Sequence, residues 1–334
     1  MRRVDRRQQL QRWLETQLNA SPLALEPASA DASFRRYFRV RAAGLSLIAM
    51  DAPPEHEDCR PFVRVAGLLA AAGVHVPRVI AQDLAHGFLL LSDLGTTGYL
   101  QALSDDTAAA LFGDAIDALL RWQRASKPGV LPPYDAALLA RELKLFPEWY
   151  LRRHLGVVLG PAQQQALDAV FALILDSSLA QPAVYVHRDY MPRNLMVCEP
   201  NPGVLDFQDA VYGPITYDVA SLFKDAFVSW DEERVRDWTV RYWEKARHAG
   251  LPVAHDFGSF YRDFEWMGLQ RHLKVLGIFA RLHYRDGKRG YLEDTPRFIG
   301  YVRAVATRYQ ALRPLLTLLD QIEGKAQARA GHAF

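Results

Sequence analysis

The spacing of apolar positions changes character near Gly95. Before it, short apolar runs such as "LSLIAMD" and "GFLLLSDLG" lie between turn residues, a pattern typical of strands. Two stretches of this part have helical spacing instead: residues 1–20, where Leu10, Leu14 and Leu18 recur, and "CRPFVRVAGLLAAAGV", which ends at Gly73. We therefore predict a strand-rich region that also carries a first helix and a middle helix.

Beyond Gly95, long amphipathic segments predict helices. Only "AVYVH", "NLMV" and "GVLDF" interrupt them as strand candidates. The predicted helices cover residues 107–125, 136–154, 162–176, 217–228, 231–249, 259–285 and 296–320. A small β-rich lobe followed by a large helical lobe is an α+β, bilobal arrangement, and we place the boundary between residues 94 and 95.

Composition narrows the class of protein. The chain has 334 residues, half of them hydrophobic, which is too many for one average compact domain. Its formal net charge of +2 is too small for a nucleic-acid-binding surface. No apolar run approaches the roughly 18 residues that span a bilayer, and the basic start leads into an amphipathic helix pattern rather than a signal peptide. Because the two cysteines, Cys59 and Cys198, suit a reducing compartment, we expect a cytoplasmic protein without nucleic-acid or membrane partners.

The stretch "VHRDYMPRNLMV" carries the strongest chemical signal. His187, Arg188 and Asp189 are followed by Asn194 at the H-R-D-x-x-x-x-N spacing of a phosphoryl-transfer loop. Phosphoryl transfer also needs a metal ion held by oxygen ligands, and a carboxylate from the next hairpin should join Asn194 in holding it. The turn "EPNPG" is followed by "VLDF", which places Asp206 at the same end of the hairpin as Asn194. The alternative is a buried polar turn beside a β-hairpin.

Three stretches together resemble the aminoglycoside phosphotransferase and choline kinase-like family: "GVHVPRVIAQDLAHGFLLLSDLG", "VHRDYMPRNLMV" and "GVLDFQDAVYGPITYDVASL". The family consists of small-molecule kinases with the protein-kinase fold, and the resemblance spans about residues 25–310. It implies a nucleotide-binding lobe over residues 1–94 and a helical lobe with the catalytic loop and sugar pocket over 95–334. It also implies ATP and the magnesium ion (Mg²⁺) as cofactors.

The same resemblance assigns roles around the loop. Asp189 would be the catalytic base or would orient the acceptor hydroxyl, and Asn194 and Asp206 would be the Mg²⁺ ligands. Asp218, in "YDVAS", would support the loop that contains His187 and Arg188, although it could equally be a helix N-cap.

The nucleotide side departs from the usual kinase pattern. The turn "SADASF" would cover the phosphates, and "LLLSDLG" would be the hinge that reads adenine. The first lysine of the chain is Lys127, so no lysine precedes the hinge to bind phosphate. Either arginines replace it or the role is vacant. Arg36 and Arg39 lie on opposite faces of a strand, and each could instead belong to a solvated face. The candidate nucleotide-binding residues are Ser33, Phe34, Arg35, Arg36, Ser92, Asp93 and Leu94, with Arg39 as a further arginine.

The late helices would wall the acceptor pocket in such a fold. Residues 268–290 hold six Lys or Arg residues against one acid, and Lys274, Arg281 and Arg285 share a face away from the predicted core. A basic stripe disfavours a polycationic aminoglycoside and favours a carboxylated sugar, unless it is only a solvated face.

Two further stretches, "DASFRRYFRV" and "AMDAPPEHED", resemble the branch of the family that acts on the anomeric hydroxyl of N-acetylmuramate and N-acetylglucosamine in cell-wall recycling. We therefore expect a small amino-sugar substrate and a monomer or weak dimer. An aminoglycoside or choline-type kinase and a nucleotide-binding pseudokinase are the alternatives.

Overall fold

The computed structural model describes residues 5–30 and 34–331, with side chains described outside residues 29–30 and 325–331. Compactness divides this part of the chain into two units. The first consists of the described parts of residues 1–125 together with 192–210, and the second of residues 126–191 together with 211–331. The domain boundary after residue 94 stays a prediction.

The first unit is built on a five-stranded antiparallel sheet in the order β1-β2-β3-β5-β4. Its strands are β1 (Glu26–Ala30), β2 (Arg36–Ala42), β3 (Leu45–Asp51), β4 (Val79–Asp83) and β5 (Phe88–Ser92). Strand β5 lies between β3 and β4, and Phe88 to Leu91 are all buried. Its sequence is a continuous apolar run because side chains on both of its faces are shielded from water.

Helices and a short hairpin complete the first unit. They are α1 (Arg6–Leu18), α2 (Cys59–Ala71), α3 (Tyr99–Ala102), α4 (Ala108–Arg124), β7 (Leu195–Met196) and β8 (Gly203–Val204). Leu10 and Leu14 of α1 are fully buried against a cluster that includes Val40 and Leu90 of the sheet. The β7–β8 hairpin joins this unit through the backbone, since Val204 donates a hydrogen bond to the His75 carbonyl at 2.8 Å.

The second unit is mostly helical. It contains α5 (Ala136–Leu143), a π-helical segment (Phe146–His154), α6 (Pro161–Leu179), β6 (Ala183–Val186), β9 (Val211–Pro214), α7 (Tyr217–Phe223), α8 (Glu232–His248), α9 (Phe257–Tyr284), α10 (Thr295–Arg308) and α11 (Arg313–Gly331). Strands β6 and β9 form an antiparallel pair. Helices α5, α8 and α9 each begin directly after an aspartate. In each case the aspartate carboxylate accepts a hydrogen bond from the backbone N–H three residues later, which is the N-cap arrangement.

Helix α9 passes through the centre of this unit. Every residue from 264 to 277 is buried, so the helix is enclosed on all sides over this stretch. Gly277 is required for one close approach, because a Cβ placed there would lie 2.3 Å from the backbone carbonyl carbon of Leu145. Glycine therefore lets α9 pack directly against the backbone that enters the π-helical segment.

The predicted α+β class is confirmed, and several element boundaries need correction. The helix predicted over 217–228 ends at Phe223, and the one predicted over 296–320 is divided by a 3₁₀ turn at Gln310–Leu312. The 136–154 segment changes from α-helix to π-helix, and strand β9 was not predicted. No helix among the described residues is long and apolar enough to cross a membrane.

Candidate functional site

Strand β6 leads directly into His187, Arg188 and Asp189 in the second unit. Arg188 has a φ of +78°, a left-handed conformation that costs a residue with a side chain on the order of 1–2 kcal/mol. The Asp218 carboxylate accepts hydrogen bonds from the backbone N–H groups of His187, at 2.7 Å, and Arg188, at 3.0 Å. These two bonds hold the loop in its strained conformation.

Asp218 is the second residue of α7, and its carboxylate is directed at the loop rather than at the first turn of its own helix. It is fully buried, and this burial raises its pKa to about 7 although the two N–H groups act in the opposite direction. The loop is thus anchored by a carboxyl group whose protonation is sensitive to pH near neutrality.

A second buried carboxylate, Glu142 of α5, fixes the Arg188 side chain. Its Oε1 lies 2.6 Å from Arg188 Nη2 and 3.0 Å from Lys274 Nζ, and its Oε2 accepts a hydrogen bond from the Tyr134 hydroxyl. Burial opposes the ionisation of Glu142, but Lys274 and Arg188 together lower its pKa to about 2. The cluster therefore keeps a charged carboxylate between two cations, which makes it resistant to rearrangement.

Asp189 is the half-buried end of this loop. Its backbone N–H donates to His187 Nδ1 at 3.2 Å, and its carbonyl accepts a hydrogen bond from the Met191 N–H at 3.0 Å. His187 is buried and packs edge-on against Tyr190, with ring centroids 5.6 Å apart. The backbone on both sides of Asp189 is therefore fixed, and its side chain supplies a carboxylate, a group that accepts a hydroxyl proton.

In the first unit, the β7–β8 hairpin brings Asn194 and Asp206 together. The Asn194 carbonyl accepts a hydrogen bond from the Leu205 N–H at 2.9 Å, and Asn194 Nδ2 lies 3.4 Å from Asp206 Oδ2. Asp206 has a φ of +61°, which aspartate tolerates better than most residues. Gln208 Nε2 holds the other carboxylate oxygen at 2.9 Å. The predicted convergence of these two side chains at one end of the hairpin is observed.

The donors of this hairpin end fit a magnesium ion. Mg²⁺ prefers hard oxygen ligands and is usually bound through one or two carboxylates together with waters and phosphate oxygens. Asp206 supplies a carboxylate, and a half-turn of the Asn194 amide would present its oxygen on the same side. Across the described residues no group of three or more His, Cys, Asp or Glu side chains could hold a metal.

The predicted phosphate-binding arginines differ in how firmly they are held. Arg36 pairs through both Nε and Nη2 with Asp51, whose buried carboxylate also binds Arg6 at 2.5 Å. Arg39 pairs through Nε (2.6 Å) and Nη2 (3.0 Å) with Asp93. Arg35 Nε lies 3.6 Å from Glu57 Oε2, a longer distance than in these pairs. Two of the three guanidinium groups are thus engaged by two-point carboxylate pairs.

The other predicted nucleotide residues are placed as follows. Ser33 lies outside the described residues, and Phe34 is exposed with its ring stacked on His56 at 4.4 Å. At the end of β5 the Ser92 backbone N–H donates to the Arg78 carbonyl, and Ser92 Oγ accepts a hydrogen bond from the Arg78 N–H. Leu94 is buried. These roles in nucleotide binding stay predictions.

The three cations predicted to form a substrate-reading stripe lie in different surroundings. Lys274 is buried between Glu142 and the Tyr217 hydroxyl, which accepts its hydrogen bond at 2.9 Å. Arg281 is half-buried, and Arg285 is exposed, pairs with Asp286 at 2.7 Å and lines a surface groove of about 440 Å³. Because α9 rises about 1.5 Å per residue, Lys274 and Arg285 are roughly 16 Å apart along it. Their role in substrate binding stays a prediction.

Sequence reasoning did not single out Glu142, Gln208 or Arg271. Glu142 contacts Arg188 and Lys274 across 46 and 132 residues of sequence, and no local motif signals such a contact. Gln208 could have been found, because it stands two residues after Asp206 in the quoted "LDFQD". Arg271 was counted only as part of the basic segment, although it is 3% exposed.

The profile of the phosphotransferase enzyme family matches residues 24–257. Because the match covers more than half of the chain, the chain belongs to this family, and the resemblance proposed from the sequence is confirmed. Among solved structures, a choline kinase from Streptococcus pneumoniae superposes with a TM-score of 0.61 over 89% of this chain and 99% of that one. At 12% identity this similarity shows the fold alone, and it confirms the predicted kinase-like fold.

Particular relatives are much more similar. The N-acetylmuramate/N-acetylglucosamine kinase of Pseudomonas putida is 55% identical over 333 residues, which covers 97% of this chain and 98% of that protein. The protein of the same name from Neisseria meningitidis is 48% identical over 336 residues, covering 99% and 100% of the two chains.

Proposed function

We propose that this protein is an ATP-dependent kinase that phosphorylates the anomeric hydroxyl of N-acetylmuramate and N-acetylglucosamine. The observation that carries the proposal is the half-buried Asp189 on a fixed backbone, in a chain that is 55% identical to a kinase named for these two sugars. A kinase of this kind would serve the recovery of cell-wall sugars in the cytoplasm, and it would act as a monomer or weak dimer.

Asp189 accounts for the acceptor side of the reaction. Its carboxylate accepts a hydrogen bond from the sugar hydroxyl and takes up the proton as the new oxygen–phosphorus bond forms. The bond between the γ-phosphorus and the bridging oxygen breaks, and ADP leaves with the electron pair. Asp218 acts indirectly, because it holds the backbone that carries Asp189.

Asn194 and Asp206 would hold the metal on the nucleotide side. When bound, Mg²⁺ supplies positive charge that offsets the negative charge on the phosphate oxygens. Gln208 keeps the Asp206 carboxylate oriented through its hydrogen bond to Oδ1.

Arg35 is the arginine best suited to replace the missing phosphate-binding lysine. Releasing Arg36 or Arg39 would break a two-point pair and leave Asp51 or Asp93 without that partner. Arg35 Nε lies 3.6 Å from Glu57 Oε2, a longer distance than in either of those pairs. It also follows directly after the turn that is predicted to cover the phosphates.

The proposal is tested by ADP release with Mg-ATP against four acceptors: N-acetylmuramate, N-acetylglucosamine, choline and an aminoglycoside. The 1-O-methyl glycoside of N-acetylglucosamine is the matched control, because it lacks only the anomeric hydroxyl. We expect turnover with the two amino sugars and none with the glycoside. Turnover of the glycoside would assign another hydroxyl, and turnover of choline or the aminoglycoside alone would favour those kinase classes instead.

A further inference from the structure

Arg271 is an unusual residue for the interior of this protein. It is 3% exposed and belongs to the stretch of α9 that is enclosed on all sides. Burying a guanidinium group is costly unless its N–H donors and its charge are matched by partners. The groups around Arg271 should therefore show which partner its charge and its N–H donors serve.

The donors of Arg271 are poorly used. In the described part of the chain its Nε has no hydrogen-bond partner, and its Nη2 faces the Met191 thioether sulfur at 3.6 Å, a weak acceptor. The guanidinium carbon lies 6.0 Å from the centroid of the Tyr217 ring. By contrast, Arg188 and Lys274 in the same unit both contact the Glu142 carboxylate directly. Arg271 thus retains capacity for a strong acceptor that the described residues do not supply.

The position of Arg271 relates it to the reaction. Burial opposes its charge, but Tyr217, Asp189 and Asp225 raise its pKa, so it stays a cation that interacts electrostatically with the proposed catalytic carboxylate. Met191, which covers its Nη2, follows Asp189 by two residues. The lactyl ether of N-acetylmuramate is two ring carbons from the anomeric carbon, so a sugar whose hydroxyl reaches Asp189 carries its carboxylate into the surroundings of the loop that Met191 and Arg271 share.

We propose that Arg271 is the specificity-determining residue that binds the lactyl carboxylate of N-acetylmuramate, and that the Met191 side chain moves aside to admit it. This inference rests on the proposed function. A planar guanidinium donates two parallel hydrogen bonds to a carboxylate, which matches the unused donors. The Met191 side chain has three rotatable bonds and is only half-buried, so it can move away from Arg271 without a shift of the backbone.

The inference predicts an effect on one sugar and not on the other. N-acetylglucosamine lacks the lactyl carboxylate but shares the anomeric hydroxyl and the acetamido group. Arg271→Met, which keeps most of the volume and removes the charge, should lower kcat/KM for N-acetylmuramate by roughly ten- to a hundredfold relative to N-acetylglucosamine. Arg271→Lys should recover part of that ratio, because it restores the charge without the fork.

Calorimetric titration gives a second readout that does not depend on turnover. Arg271→Met should lose affinity for N-acetylmuramate while its affinity for N-acetylglucosamine is kept. Arg303→Met is the matched control, since Arg303 pairs with Asp320 and Glu323 on the surface and its loss should leave the ratio unchanged. If Arg271→Met does not fold, Arg271→Lys decides the question through the same ratio.

Two outcomes would overturn the inference in different ways. If Arg271→Met lowers kcat/KM for both sugars in parallel, or leaves both values unchanged, Arg271 positions Asp189 or stabilises the fold instead. The proposed function survives that outcome. If the parent enzyme turns over neither sugar, the proposed function fails and takes the inference with it.

Discussion

At the scale of single residues, the strained loop around Asp189 is stabilised from several directions. Arg188 is held in a left-handed conformation by two backbone hydrogen bonds to Asp218, and its side chain by Glu142. A strained conformation persists only where its surroundings determine it completely, and such conformations cluster at functional sites. The strain thus favours a functional role for the loop independently of the sequence motif.

We expect Asp189→Asn to lower turnover by roughly 10²–10⁴-fold, because an amide cannot take up the acceptor proton. Nucleotide affinity should change little, since the variant keeps the backbone contacts to His187 and Met191. Steady-state ADP release and a titration with Mg-ATP measure the two effects separately. Near-parental turnover would make Asp189 a structural acid and remove it from the mechanism.

At the scale of elements, the β7–β8 hairpin explains why two distant motif residues could be predicted to meet. Its turn is short, and the residues before and after it are therefore forced into proximity. Asp206→Ala removes the carboxylate from this end of the hairpin, and the neutral Asn194 amide cannot replace its charge. We expect nucleotide affinity to lose its dependence on Mg²⁺ concentration, as measured by titration with ATP at varied Mg²⁺.

The matched control for this variant is Asp209→Ala, which makes the same change at an exposed carboxylate three residues further along. It should retain the Mg²⁺ dependence of the parent. An unchanged dependence in Asp206→Ala as well would place the metal ligand elsewhere.

The close approach of α9 to the chain at Leu145 gives a second test at this scale. Helix propensity alone favours alanine over glycine by about 1 kcal/mol. At Gly277 the added Cβ would meet the Leu145 backbone at 2.3 Å, and relieving such overpacking typically costs 1–3 kcal/mol or more. Gly277→Ala should therefore lower the free energy of unfolding, as measured by denaturant titration.

Gly268→Ala is the matched control, because it lies in the same helix and its nearest contact would be 3.5 Å, an ordinary distance. It should be neutral or stabilising. If both variants were equally stable, α9 would have room to shift at Gly277 and the close contact would not be structurally required.

Local pattern was sufficient for much of this architecture and insufficient for the rest. Asn194 and Asp206 were predictable because a short hairpin converts sequence spacing into distance. Lys274 was predicted to share an outer face, yet it is buried because Glu142 neutralises it, and that partner stands 132 residues earlier. The division of the last helix at Gln310–Leu312 also left no periodic signal. For Lys274, an interaction between distant segments decided a point that periodicity could not.

At the scale of the whole molecule, the buried ionisable groups are unevenly distributed. Among the described residues, the first unit buries one carboxylate, Asp51, which two arginines neutralise. The second unit buries several acids and bases, including Glu142, Asp218 and Asp225. The pH dependence of stability should therefore arise mainly in the second unit.

These acids act in opposite directions. The pKa of Glu142 is lowered to about 2, so its contribution to stability is present above pH 4.5 and is lost as the pH falls toward 2. Burial raises the pKa of Asp218 to about 7 and that of Asp225 to about 6. In the folded state both bind a proton that the unfolded chain releases near pH 4, so stability falls as the pH rises from about 4 through 6 and 7.

Asp225→Asn isolates one of these contributions. The amide oxygen can still accept the Ala226 N–H bond that Asp225 Oδ1 accepts at 2.6 Å, and the amide does not ionise. Relative to the parent, the variant should gain up to about 3 kcal/mol of unfolding free energy between pH 4 and pH 8. The added buried N–H₂ group has a cost that is independent of pH. The prediction therefore concerns the slope of unfolding free energy against pH and not the stability at any one pH.

Denaturant titrations at pH 4, 6 and 8 measure that slope. Asp168→Asn, at an exposed aspartate, is the control that should retain the parental slope. Equal slopes in the parent and in Asp225→Asn would mean that Asp225 stays ionised in the folded state, with Arg271 compensating its charge.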